Sequence, residues 1–156
     1  MEQIVLQTVM AVIGSLGFAI FFNTRGRKLI WIAIGSAVCT LTYFYVFIRT
    51  GDKVISTLFG AIMVAAIAEI MARIIKTPVI ILLVPMMIPL VPGGDLYYSM
   101  RDFIIGDTVA FGVSFQIMLK EAAAIAFGII LASFVVQIIL KSRKYLGKKT
   151  EKKDKV

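Results

Sequence analysis

The chain has 156 residues, 60% of them hydrophobic, and a mean hydropathy of +0.94; its apolar residues fall into blocks of about twenty, the length that crosses a bilayer as helix. A single cysteine, Cys39, and the lack of histidine exclude an internal disulfide, a cysteine-based metal site and imidazole chemistry. The net charge of +8 does not point to nucleic acid, because eight of the seventeen basic residues follow the last apolar block, in residues 141–156, where such a run anchors to anionic headgroups and sets orientation.

The first span is expected from about Ile4 to Phe22. It lacks a lysine-rich start and a small-residue cleavage site, so it reads as a retained helix rather than a signal peptide. Ala11, Ser15 and Ala19 recur at every fourth position and form a stripe that admits close helix approach. The loop NTRGRK is short and basic, and Asn23 fits a helix C-cap. A second span covers about Leu29–Ile48, with Trp31 near one end and Tyr43 and Tyr45 near the other, as interfacial aromatics require. The third, about Val54–Ile75, places Ala61, Ala65, Ala68 and Ala72 on one face and spaces Glu69 and Arg73 to pair at i,i+4.

The fourth apolar stretch, Thr77–Pro92, contains all four prolines (Pro78, Pro85, Pro89, Pro92) and runs into Gly93-Gly94. Interior prolines remove backbone donors and break the helix. In hydrocarbon such a break persists only where protein or a water-lined cavity satisfies the freed groups, the arrangement on which transporters build substrate sites. Next, DLYYSMRDFIIG reads as a short external amphipathic helix, with Asp95 as N-cap, Leu96, Met100, Phe103 and Ile104 as its apolar face, and Gly106 as its stop. The fifth span, about Val113–Leu140, carries a second small-residue stripe, Ala124, Gly128 and Ala132. These readings give an all-α, polytopic membrane domain of five transmembrane helices over residues 1–140, followed by a basic, frayed cytoplasmic tail over 141–156.

Five spans put the termini on opposite sides. With the N terminus outside, Arg25, Arg27, Lys28, Arg73, Lys76 and the tail's eight basic residues all become cytoplasmic, and only Arg49, Lys53 and Arg101 stay outside. The expected topology is therefore N-out, C-in.

Two groups of residues carry candidate chemistry. At the break, Pro89, Pro92, Gly93, Gly94 and Tyr97 are the expected substrate pathway: the glycines free the backbone to turn and admit close approach, the helix start favours an anion, and Tyr97 offers a hydroxyl. Were Asp95 to cap that helix, its charge would instead repel an anion. Within the spans, Glu69, Arg73, Lys120 and Glu121 are charged, and a charge at the bilayer centre costs about 2.5–3.5 kcal/mol unless it meets a partner or an aqueous path. Glu69, Arg73 and Glu121 are the candidates for proton or ion coupling, with a structural Glu69–Arg73 pair and an interfacial Lys120 and Glu121 as the alternative. No phosphate loop, dinucleotide fingerprint, nucleophile elbow or HExxH helix occurs, so neither enzyme activity nor a cofactor is expected. The eight methionines are scattered as packing residues.

The segments PLVPGGDLYYSM (Pro89–Met100) and FFNTRGRKLIW (Phe21–Trp31) resemble the Pro-x-x-Pro-Gly…Tyr signature and the Phe-Asn end of the first span in the threonine/serine exporter family. The resemblance extends from Ile4 to Leu140. It implies the family's five-span unit, which occurs as a separate small protein or as the C-terminal half of a fused exporter. It further implies export of threonine and serine or, in two-subunit members, of dicarboxylates such as succinate. A separate larger subunit would be the partner, alongside membrane lipid and a possible second copy of this chain. The expected location is a bacterial or archaeal cell (inner) membrane. The competing reading is a membrane subunit that stabilises or localises a partner without transporting anything.

Overall fold

In the computed structural model the backbone is described for residues 2–153 and the side chains for residues 2–139. Six α-helices follow one another among these residues: α1 (Glu2–Phe21), α2 (Arg27–Thr50), α3 (Lys53–Ile74), α4 (Val79–Met86), α5 (Gly93–Ile105) and α6 (Thr108–Lys153), with a 3₁₀ turn at Ile88–Leu90 between α4 and α5. Helices α1, α2, α3 and the part of α6 from Thr108 to Ile139 are each long and apolar enough to cross a membrane. Val79–Leu90 with Gly93–Ile105 forms a further candidate bent by 58° at the break. The chain is an all-α polytopic membrane protein.

The helix ends follow from local chemistry. Asn23 takes a left-handed conformation at φ 56°, and the N–H of Thr24 donates to the Ala19 carbonyl at 2.9 Å, so Asn23 caps α1 as its residue type suggests. Asp52 caps α3 by accepting from the N–H groups of Val54 (2.7 Å) and Ile55 (3.2 Å). Gly106 stops α5 at φ 85°. Lys76 closes α3 at φ 51° without being glycine, and the N–H of Thr77 donates to Ala72 at 2.8 Å.

Helix α3 lies at the centre of the bundle. Ala61, Ala65, Ala68 and Ala72 are all buried. A Cβ on Gly128 of α6 would stand 2.8 Å from the Ala61 Cβ and 3.1 Å from the Leu58 carbonyl oxygen. The Ala124–Gly128–Ala132 stripe is thus consumed inside the chain, and of the α1 stripe Ser15 and Ala19 are buried as well. Helices α3 and α6 run in the same direction, because Gly128 meets Leu58 and Ala61 while Glu121 shares a cavity with Lys53 and Thr57. The residues of α6 before Glu121 therefore run past the start of α3 and pair with α5 as a helical hairpin, with Phe103 and Phe111 rings 5.5 Å apart.

Two expectations need correction, and the structure decides a third point that the sequence leaves open. The last helix begins at Thr108 rather than near Val113, because Asp107 caps it through the N–H of Ala110 at 3.0 Å. It also continues through the basic tail to Lys153 instead of fraying at 141, since extending an existing helix needs no new nucleus and lysine is a fair helix former. On α5, Ser99 and Asp102 are buried, while Met100 and Ile104 face away from the chain and Phe103, itself exposed, lies against Phe111 of α6. Asp102 is held by Arg101 (Nε to Oδ1, 2.8 Å) and Ser99 donates to the Leu96 carbonyl at 2.8 Å, so the inward face is hydrogen-bonded.

Candidate functional site

The break between α4 and α5 lies at the end of the bundle where α3 begins: Leu90 is buried, whereas Val91, Gly93 and Gly94 are exposed. Eight α-helical residues and three 3₁₀ residues rise only about 18 Å, short of the roughly 30 Å hydrocarbon core. Val91 is extended (φ −61°, ψ 125°) and Pro92 turns the chain (ψ 56°) into α5, so the candidate span is the bent pair rather than α4 alone. Leu90 packs on Gly60 of α3, where a Cβ would lie 3.0 Å from Leu90 Cδ2, and Met86 fills the notch over Gly35 of α2. Both glycines are there to let the broken helix sit against its neighbours.

Prolines and geometry leave the break with unpaired backbone groups. Pro92 offers α5 no side-chain cap, the N–H of Gly93 turns back to Val91 at 2.7 Å, and the N–H groups of Gly94 and Asp95 find no backbone acceptor among the described residues. On the α4 side the carbonyls of Pro89 and Leu90 receive no backbone donor among these residues. These groups border a cavity of about 180 Å³, whose other walls are Tyr43 of α2, Lys53 and Thr57 of α3, and Glu121 of α6. One short segment thus presents free N–H groups to an anion and free C=O groups to a cation.

The titratable groups of the cavity are asymmetric. Asp95 does not cap α5, which begins two residues earlier at Gly93. Its carboxylate instead pairs with Lys53 Nζ at 3.1 Å, which cancels the charge that would have repelled an anion from the helix start. Glu121 is only 5% exposed, and its carboxylate makes no hydrogen bond or ion pair among the described residues. Its oxygens are not among the fully enclosed unpartnered atoms of the described residues, so the carboxylate opens onto the cavity, level with the first turn of α3, where water or a ligand cation can meet it.

The expected site residues divide into two groups. Pro89, Pro92, Gly93, Gly94 and Glu121 come together around the cavity. Gly93 and Gly94 do not adopt positive φ, and a Cβ on either meets open space, so they supply room rather than an unusual turn. Tyr97 lies outside the group, 66% exposed on the outward face of α5. Glu69 and Arg73 form an ion pair at 3.0 Å toward the other end of α3, some 18 Å along the helix from Thr57. Tyr43, Lys53 and Thr57 were not singled out from sequence. Tyr43 matches an interfacial aromatic and Lys53 a turn residue, and only the packing of α2 and α3 against the break brings them to one place.

Neither a curated protein nor a solved structure matches the chain. A family model described as threonine/serine exporter, ThrE, matches residues 7–135, a stretch that includes the break and the cavity and reaches into each candidate span of the described residues. The chain belongs to the threonine/serine exporter family.

Proposed function

We propose that this protein is the membrane subunit of a secondary exporter of small zwitterionic amino acids of the threonine and serine type, with the cavity at the break as its substrate site. The observation that carries the reading is the Glu121 carboxylate, unpartnered among the described residues and open to the cavity that Gly94 and Asp95, with their unpaired N–H groups, also line. An α-carboxylate fits the start of α5 beside Lys53; an α-ammonium fits Glu121 and the bare carbonyls of Pro89 and Leu90. The hydroxyls of Tyr43 and Thr57 suit a hydroxylated side chain.

Charge favours an amino acid over succinate. Lys53, Asp95 and Glu121 together bring one net negative charge, and two like charges about 4 Å apart repel by about 4 kcal/mol at an effective dielectric of 20. An ammonium turns that repulsion into attraction, and a second carboxylate does not. Glu121 is also the carboxylate best placed to exchange a proton or cation as substrate leaves. Orientation is N-out, C-in on the basic-residue asymmetry, in a bacterial or archaeal cell (inner) membrane. The chain acts with a larger second subunit, a reading supported by the apolar side that α5 turns away from its own chain.

The test is export of labelled threonine, serine and succinate from cells expressing the chain with and without the larger subunit, each with wild type and Glu121→Gln. The reading expects threonine or serine export that needs both subunits and is lost in Glu121→Gln. Succinate export unaffected by Glu121→Gln would overturn the substrate assignment, and no transport under any condition would leave the assembly role.

A further inference from the structure

At the opposite end of the bundle from the break, Arg25, Arg27 and Lys28 border a cavity of about 590 Å³ whose remaining wall is apolar, formed by Trp31 of α2 and by Ile74 and Ile75 at the end of α3. None of the three cations forms an ion pair among the described residues, and the one carboxylate of α3 at this end, Glu69, is taken by Arg73. Lys28 also borders a second cavity of about 330 Å³ between α1 and α4, which descends along Phe18, Phe22, Ile80 and Val84 to Pro85. A basic chamber at the membrane surface thus adjoins an apolar groove running into the bilayer.

We propose that these two cavities hold one anionic phospholipid, its phosphate in the basic chamber and an acyl chain in the groove between α1 and α4. Three cations converging on one chamber neutralise a phosphate that a zwitterionic headgroup already balances internally. The groove argues for a lipid over free phosphate or an exported anion, neither of which has an apolar part to bury there. Tryptophan suits this depth, where its ring bridges headgroup and hydrocarbon. The groove wall is α4 itself, so an acyl chain lying against Val84 and Pro85 supports the broken helix from its lipid side. This site lies at the far end from the amino-acid cavity and stands independently of the substrate assignment.

The test uses the full chain, purified in detergent and examined by native mass spectrometry with equimolar dioleoyl phosphatidylglycerol and dioleoyl phosphatidylcholine. Wild type is expected to retain one phosphatidylglycerol in preference to phosphatidylcholine. The variant R25Q/R27Q/K28Q should lose that preference by about fivefold per neutralised residue, on the order of 100-fold in all. Val84→Trp, which fills the groove at a partly exposed position and leaves the cations in place, should weaken phosphatidylglycerol retention as well. Equal retention of the two lipids by wild type, or unchanged preference in R25Q/R27Q/K28Q, whose basic tail is intact, would overturn the site. If inorganic phosphate displaces the lipid at equal concentration, or if Val84→Trp retains it fully, the chamber is a simple anion site and the lipid assignment fails. Far-UV circular dichroism and a monodisperse elution profile confirm that each variant is folded.

Discussion

Lys53 Nζ lies 3.2 Å from Asp95 Oδ1 and 3.1 Å from Asp95 Oδ2, so one ammonium bridges the first residue of α3 to the first turn of α5 across the wall of the cavity. The lysine side chain is about half exposed, and ion pairs of that exposure contribute at most about 1 kcal/mol to stability. Its consequence is local: it fixes where α5 begins relative to α3 and removes a negative charge from the helix start. Lys53→Met should therefore change the thermal midpoint little, yet raise the KM for amino-acid export by about tenfold or more, the loss expected for a charge-assisted contact. Asp95→Asn should be milder, because Lys53 remains to meet a carboxylate. Equal transport defects in the two variants would mean that the pair only holds the helices together.

Much of the fold was legible in the sequence because a membrane imposes a length and an apolar composition that few alternatives satisfy. The break was legible because four prolines in one apolar stretch leave no regular helix. The site was legible only in part. Gly93, Gly94 and Glu121 were found one at a time, but their meeting with Tyr43, Lys53 and Thr57 depends on α3 and α6 running side by side in one direction. No local pattern encodes that pairing. Asp95 misled because an acidic residue suits both an N-cap and the first helical turn, and the choice between them was decided by Lys53, 42 residues away. The apolar side of α5 was legible, but not which way it points, because amphipathicity gives a face without a direction.

The α6 stripe yields a stability prediction. The Gly128 site touches the Leu58 carbonyl oxygen and the Ala61 Cβ, and backbone does not move aside as a flexible side chain does. Gly128→Ala should cost about 1–3 kcal/mol through overpacking, and Gly128→Leu more, both read as lowered thermal midpoints in detergent. Gly112 in the same helix has open space around it, so Gly112→Ala should be neutral or slightly stabilising. Equal effects at the two positions would rule out close approach of α3 and α6 as the cause.

Topology is testable through exposed positions. In a Cys39→Ser background, Thr50→Cys and Asp107→Cys lie at the end expected outside, and Arg25→Cys lies at the end expected inside; all three positions are exposed. The first two should react with an impermeant maleimide in intact cells, and Arg25→Cys only after permeabilisation. Labelling of Arg25→Cys in intact cells would reverse the orientation and the charge argument behind it.

The two buried glutamates give the sharpest comparison, because each is about 95% buried and their surroundings differ. Glu69 has Arg73 at 3.0 Å, and the arginine side chain is 42% exposed, so a neutral partner leaves it free to reach water. Glu121 has no such partner among the described residues and faces the cavity at the break. Glu121→Gln removes a charge that an ammonium would meet and should lower export by about 10- to 150-fold, the equivalent of 1.5–3 kcal/mol for a hydrogen bond to a charged group. Glu69→Gln should leave export within a few fold of wild type and keep its dependence on the ion gradient. Counterflow exchange of labelled threonine distinguishes the roles further: if Glu121 carries only the coupling proton, exchange survives in Glu121→Gln while net export stops; if it binds the ammonium, both are lost. The assignment of Glu121 to the site fails if that variant, inserted and assembled at wild-type levels, exports normally, or if Glu69→Gln is the one that loses its response to the gradient.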